Sequence, residues 1–230
     1  PIDKEYAWLP KLAPHIHINI PTPLAKGEPA EGYPWYWSIY TWIDGESAVE
    51  SLSDLHQAAK DLGEFVNALH TIDTSDGPAA RRGRPLSVRE PETSEAIELL
   101  RTDFDKRAMS AAWQKALAAP KWTSDPAWIH GDLHTDNLLT KDGRISAVID
   151  FGSSGIGDPA VDMMPAWTIL TEQTRNIFRE IINVDDDTWE RGRGWALSFA
   201  LVALPYYRTS NPTLTAIAKR TIEEVLTDQE

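Results

Sequence analysis

The stretch His130-Gly131-Asp132-Leu133-His134-Thr135-Asp136-Asn137 places an aspartate and an asparagine five positions apart, and Val148-Ile149-Asp150-Phe151-Gly152 adds a second aspartate. Asn137 and Asp150 offer an amide oxygen and a carboxylate. Both are hard oxygen ligands of the kind Mg²⁺ accepts, with water and nucleotide phosphates completing its shell. Asp132 stands before that pair and need not bind metal. It could accept the proton of a substrate hydroxyl and aim that oxygen in line with a phosphoryl group. The competing readings are a surface-turn carboxylate for Asp132 and a loop-turning residue for Asn137. Asp150 follows an apolar stretch, where an unpaired carboxylate would be costly, so it calls for a metal or cationic partner. His130 and His134 stand four apart like a zinc pair, yet they fall in a loop and lack a clear third ligand. His130 reads as a hydrogen-bonding organiser of the loop, and His134 as polar filler or a minor substrate-side contact.

For these side chains to meet, the chain between them must double back. Leu138–Thr140, the turn Lys141-Asp142-Gly143 and Ile145–Ile149 predict a β-hairpin over Leu138–Ile149, which brings Asn137 and Asp150 together at its open end. Ahead of it, prolines interrupt residues 1–35 repeatedly, leaving room for a short helix over Asp3–Leu12. Trp35–Ile43 reads as a strand ending at the turn Asp44-Gly45, and Ser51 or Ser53 as the cap of the next helix. The stripe Leu55, Ala58, Ala59, Leu62, Phe65, Val66, Leu69 and Ile72 is helical. Residues 73–92 read as an exposed connector, and Ser94–Ala118 as helical with a break near Asp105. Beyond Gly157 the chain turns helical. Asp158 before Pro159 and Asn211 before Pro212 have the form of N-caps, with Asp162 one turn on as a structural acceptor. Trp195–Leu204 is a strongly apolar helix whose Trp195, Phe199 and Leu201 read as core, and Leu214–Leu226 is amphipathic.

The 230 residues carry 22 Lys+Arg against 35 Asp+Glu, a formal net charge of -13, which disfavours nucleic acid as a partner. Arg81, Arg82 and Arg84 form the one tight basic group and read as a solvated loop. The acids Asp185, Asp186, Asp187 and Glu190 could greet a cationic substrate but fit a solvated helix start better. Cysteine is absent, which removes disulfides, thiolate catalysis and cysteine-ligated metals and fits a reducing compartment. The opening residues, with Asp3, Lys4 and Glu5, do not have the form of a signal peptide, and no apolar run reaches membrane-spanning length. A cytoplasmic protein that engages no membrane is the expectation.

His130-Gly131-Asp132-Leu133 with Asn137, then Ile149-Asp150-Phe151-Gly152 and Gly157-Asp158-Pro159-Ala160 with Asp162, resembles the aminoglycoside phosphotransferase family of the protein-kinase-like superfamily, to which choline kinases also belong. The resemblance implies an α+β, protein-kinase-like fold, mainly the helical C-terminal lobe with a catalytic β-hairpin. Residues 1–43 would be the remainder of the N-terminal nucleotide-binding lobe and hinge, and residues 44–230 the helical lobe. It implies Asp132 as catalytic base, His130 as the loop-shaping member of the catalytic set, and Asn137 and Asp150 as Mg²⁺ ligands. Tyr33–Glu46 is similar to the family's last N-lobe strand and hinge, placing the adenine edge against the backbone of Tyr40, Thr41 and Trp42. Glu5 corresponds to the helix acid that pairs with the phosphate-binding lysine. That lysine and the glycine-rich turn have no counterpart in this numbering, so they are expected upstream of Pro1.

The expected activity is a kinase that moves the γ-phosphate of ATP, with Mg²⁺, to a hydroxyl of a small molecule. Aminoglycosides and other amine-bearing compounds are among the candidate acceptors. A non-catalytic pseudokinase is the alternative, should the phosphate loop truly be absent. A metal-dependent phosphoesterase would want more bridging carboxylates than this block holds.

Overall fold

In the computed structural model, which describes residues 2–228, the chain opens with helix α1 (Ile2–Leu12). Asp3 and Glu5 lie in its first turn and Lys11 in its last, complementing the helix dipole, while Leu9 and Leu12 enter the core. Strands β1 (Pro23–Gly27) and β2 (Trp37–Tyr40) pair as a separate antiparallel ribbon. The strand expected over Trp35–Ile43 is shorter at both ends, because its ladder runs only from Pro23↔Tyr40 to Gly27↔Trp37 and stops where its partner stops. Trp35 and Trp42 lie outside it and are exposed.

Strand β3 (Glu46–Ser47), helix α2 (Ala48–Ser51) and helix α3 (Leu55–His70) follow. The cap of α3 is Asp54, whose carboxylate accepts from the Gln57 N–H at 2.9 Å, not Ser51 or Ser53. The Ser51 hydroxyl already donates to the Ser47 carbonyl, and the Ser53 amide donates to the Gly143 carbonyl. The expected stripe from Ala58 to Leu69 is buried. Helices α4 (Glu90–Leu99) and α5 (Lys106–Ala118) replace the interrupted helix expected over Ser94–Ala118. Asp105 makes the break by capping α5 through the Arg107 and Ala108 amides.

Strand β4 (Ala127–Ile129) then leads into the polar loop, and strands β5 (Leu138–Lys141) and β6 (Arg144–Val148) form the expected hairpin, with β3 added outside β5. Strand β7 (Gly155–Gly157) returns to pair with β4, from Ala127↔Gly157 to Ile129↔Gly155. The loop, the hairpin and the segment after it are thus tied off at both ends by one short ladder.

Helices α6 (Pro165–Thr168), α7 (Glu172–Ile182), α8 (Asp186–Tyr207) and α9 (Pro212–Thr227) complete the fold. Asn211 caps α9 through the Leu214 amide, as its place before Pro212 suggests. Helix α8 is buried along most of its length and packs on α9, α5, α4 and residues 159–163. At Gly192 it presses against that last segment. A Cβ there would meet Met163 and stand 2.8 Å from the Ala160 carbonyl oxygen. One apolar core runs from Leu9 and Leu12 through α3 and α8 to Val225. No helix among the described residues is long and apolar enough to cross a membrane.

Candidate active site

The polar loop begins on a buried carboxylate. Asp162 has no exposed surface and accepts from the amides of His130 and Gly131, each at 2.8 Å. The segment carrying it is fixed one turn earlier by Asp158. That side chain accepts from the Ala160 amide at 3.0 Å and receives Arg191 bidentately at 2.9 and 3.2 Å. Asp158 is therefore an N-cap and half of a buried ion pair, and Asp162 is the structural acceptor expected. Gly131 adopts φ +78°, a left-handed turn that a side chain would strain.

His130 is fully buried, and burial pushes its proton affinity below the ordinary 6.5, so the ring is neutral. Its Nδ1 accepts from the Asp132 amide at 3.3 Å. The ring proton therefore sits on Nε2, which faces the Ile149 carbonyl at 3.1 Å. One imidazole, edge-on to Phe151 at 4.7 Å, thus links the backbone of Asp132 to the end of β6.

Asn137 donates its amide N–H to the Asp132 carbonyl at 2.8 Å, which settles the orientation of the side chain. Its Oδ1 has no protein partner among the described residues. Across the hairpin's open end the Ile149 amide donates to the Asn137 carbonyl at 2.9 Å, so Asp150 follows directly beside Asn137. Asp150 is exposed rather than shielded, in a left-handed conformation (φ 60°, ψ 71°), and accepts from the Gly152 amide at 3.2 Å. An unpartnered amide oxygen beside an exposed carboxylate is a donor set that Mg²⁺ fits when water and phosphate complete it. Among the described residues no group of three or more His, Asp or Glu side chains could enclose a metal alone.

From α1, Glu5 reaches the same region. A Cβ added at Gly152 would lie 3.1 Å from the Asp150 carboxylate and 3.7 Å from that of Glu5. Glu5 accepts from the Tyr40 hydroxyl at 2.8 Å, and burial, with the charges of Glu5 and Asp150, raises the proton affinity of that phenol. Lys4, read in the sequence only as one of the charges of the opening residues, donates to the carbonyls of Gly152 and Ser154 and fastens α1 to the segment after Asp150. Thr41 pairs through its own amide with the Thr22 carbonyl at 2.8 Å, and the Trp42 indole donates to Asp44 at 3.1 Å with its ring exposed.

Asp132 opens onto a cavity of about 310 Å³. Arg82 lines it, pairing with the Asp132 carboxylate and donating to the Gly131 carbonyl at 3.1 Å. The solvated-loop reading holds for the exposed Arg81 and Arg84 and fails for Arg82, which the connector folds back onto the loop. His134 also lines the cavity, 3.6 Å from Asp132 and stacked on Phe199 at 5.4 Å. Trp195 and Leu201 are core as read, and Phe199 packs against that core; Trp195 and Phe199 also form part of the cavity wall with Tyr206 and Tyr207. Their spacing on α8 was the available signal, since Trp195, Phe199 and Tyr206 share one face that outruns the apolar segment.

A model of the phosphotransferase enzyme family matches residues 1–195. An aminoglycoside 3'-phosphotransferase from Escherichia coli is 28% identical over 144 residues, 59% of this chain and 53% of that protein. The chain thus spans about half the length of the curated relatives it matches. Among solved structures, the GDP and kanamycin complex of APH(2")-IIia superposes with a TM-score of 0.69 at 22% identity, covering 100% of this chain and 83% of that one. Macrolide 2'-phosphotransferase type I gives 0.57 at 15%, covering 96% and 78%. Both share its fold. Since the family match takes in the braced loop, the hairpin and the segment of Asp158 and Asp162, the chain belongs to the phosphotransferase enzyme family, within the protein-kinase-like superfamily.

Proposed function

We propose that the protein transfers the γ-phosphoryl group of ATP to a hydroxyl of a small molecule, with Asp132 as the base. The observation that carries this reading is the joining of two tethers. The His130 ring and the Asn137 amide both fix the Asp132 backbone to the hairpin end, where an unpartnered amide oxygen stands beside an exposed carboxylate. A base on one side and oxygen donors on the other, held at a set separation, is what in-line transfer requires. Nucleotide complexes among its structural neighbours support the donor, one of them carrying GDP with kanamycin.

Asn137 Oδ1 and the Asp150 carboxylate would hold Mg²⁺, which when bound neutralises charge on the nucleotide phosphates. The chain itself supplies position and proton transfer. Asp132 accepts a hydrogen bond from the acceptor hydroxyl, orients its oxygen and takes its proton as the bond to phosphorus forms. Neutral His130 keeps the loop at a fixed distance from Asp150. Tyr40 and Glu5, on the side of β2 and α1, border the approach to Asp150 and suit a nucleotide-side role, with the backbone of residues 40–42 near the base.

The test is Asp132→Asn in the full-length protein. It keeps size and hydrogen-bonding shape but cannot take the proton. Acceptor-dependent ADP release should fall by about 10²-fold or more, with ATP binding by calorimetry retained. A rate surviving within about threefold of the parent removes Asp132 from the base role.

A further inference from the structure

We infer that Arg82 is a positioning residue for phosphoryl transfer, holding the Asp132 carboxylate by one oxygen so that the other is presented to the acceptor hydroxyl. The inference rests on the phosphotransfer reading above and deepens it at the base.

The braces on Asp132 described so far stop at its backbone. His130 takes its amide and Asn137 holds its carbonyl, which leaves both side-chain torsions unset. Arg82 sets them. Its Nη1 donates to Asp132 Oδ1 and, at 3.1 Å, to the Gly131 carbonyl, so one nitrogen joins the carboxylate to the backbone just before it. His134 Nε2 lies 3.6 Å from the same oxygen, beyond hydrogen-bond length, and burial keeps that ring neutral. Among the described residues no hydrogen bond reaches Oδ2. On a carboxylate only partly buried at the cavity, that oxygen is the one open to a hydroxyl.

An arginine can hold a base only if its own backbone is held. The Ile156 amide donates to the Pro78 carbonyl at 2.8 Å, and the Ala80 amide to the Ile156 carbonyl at 2.9 Å. On the other side of Arg82, the Asp158 amide donates to the Gly83 carbonyl at 2.7 Å. Such closeness needs glycine in and beside β7. A Cβ at Gly155 would stand 2.6 Å from the Pro78 carbonyl oxygen, and one at Gly157 2.7 Å from that of Gly83. Asp158 is itself locked by Arg191. The guanidinium thus projects from a fixed edge, which suits a support and not a latch that swings away.

Phosphoryl transfer asks little covalent chemistry of the protein and much positioning, so a carboxylate held in one orientation outperforms one free to turn. The alcohol oxygen bonds to the γ-phosphorus as its proton passes to Asp132 Oδ2. The bond from that phosphorus to the β-phosphate bridging oxygen breaks, and its electron pair leaves on ADP. Arg82 keeps its own proton throughout.

The test uses full-length protein with ATP and Mg²⁺, once with kanamycin and once with water as the only acceptor. It compares the parent, Arg82→Ala, Asp132→Asn and the double variant. Arg82→Ala should lower kcat about 30-fold or more and leave the ATP KM within about threefold. Guanidinium chloride at about 20 mM, far below denaturing concentration, should restore kcat by about fivefold or more. Added to Asp132→Asn, Arg82→Ala should cost less than about threefold, because a residue that acts through another then has nothing to act on. In crystals of Arg82→Ala the Asp132 side chain should leave its parent orientation. An Arg82→Ala rate at or above the parent's overturns the inference and makes the arginine a bystander or a brake. A full loss repeated on the Asp132→Asn background overturns it too, since Arg82 would then act on the phosphates directly. An unmoved Asp132 in the Arg82→Ala crystals overturns it without any assay. Absence of ADP release from the parent with either acceptor, or an Asp132→Asn protein as fast as the parent, overturns the phosphotransfer reading, while the crystal comparison still decides whether Arg82 sets the carboxylate.

Discussion

Asn137 does two jobs through two atoms. Its amide N–H holds the Asp132 carbonyl, and its oxygen is the metal ligand proposed above. The two can be separated by substitution. Asn137→Ala removes both and should raise the Mg²⁺ concentration for half-maximal rate by about tenfold or more while lowering kcat. Asn137→Asp returns an oxygen donor but not the N–H, so the Mg²⁺ requirement should recover while kcat stays low. A Mg²⁺ titration of initial rates checks this, and equal Mg²⁺ dependence in all three proteins would remove Asn137 from the metal site. The meeting of Asn137 with Asp150 was legible because a hairpin is local, so its ends follow from spacing alone. Arg82 and Lys4 were not. Arg82 reaches Asp132 across 50 positions and Lys4 reaches Gly152 across 148, and no periodicity encodes such a meeting. Trp195 and Phe199 lay between, since the apolar face was visible but not whether it met core or cavity.

Elements were read well where their signal was their own sequence, as in the stripe of α3, the hairpin, and the Asn211 cap of α9. They were misread where neighbours decide. Ser51 and Ser53 are good capping residues by type, yet α3 takes Asp54 because the Ser51 hydroxyl and the Ser53 amide are engaged elsewhere. Strand β2 is shorter than its β-forming run because β1 is short. The packing of α8 on residues 159–163 belongs to this scale too. Gly192 lets the helix lie close to the segment that carries Asp158 and Asp162. Gly192→Ala must push against the backbone carbonyl of Ala160, which cannot swing aside as a long side chain would. The variant should lose about 1–3 kcal/mol in urea unfolding, although alanine is the better helix former. Acceptor-dependent turnover should fall with it, because Asp162 holds the His130 and Gly131 amides. An unfolding midpoint equal to or above the parent's would show that the helix and this segment slide apart freely.

At the scale of the whole molecule, the buried histidines of the polar loop also set how stability responds to acid. His130 and His134 are both buried, and burial holds each below the ordinary 6.5. In the unfolded chain they take up protons near that value, whereas the folded protein resists. Below about pH 6.5 the unfolded state therefore binds more protons, and stability falls as the pH falls until the native values are reached. Each ring contributes up to about 1.4 kcal/mol per pH unit across that window. Carboxylates held below their ordinary range, such as Asp185, have ordinary values of 3.8 to 4.5 and start to matter only in stronger acid. Loss between pH 6.5 and 5 is thus assigned to the histidines. Because its cause is desolvation rather than surface repulsion, added salt should leave it in place. Urea midpoints measured from pH 8 to pH 5 should decline below about pH 6.5 at both low and high salt. His134→Gln, which removes one titrating ring, should shrink the decline by about half. A flat midpoint down to pH 5, or a decline that salt abolishes, would mean that the buried imidazoles do not control the acid limit of the fold.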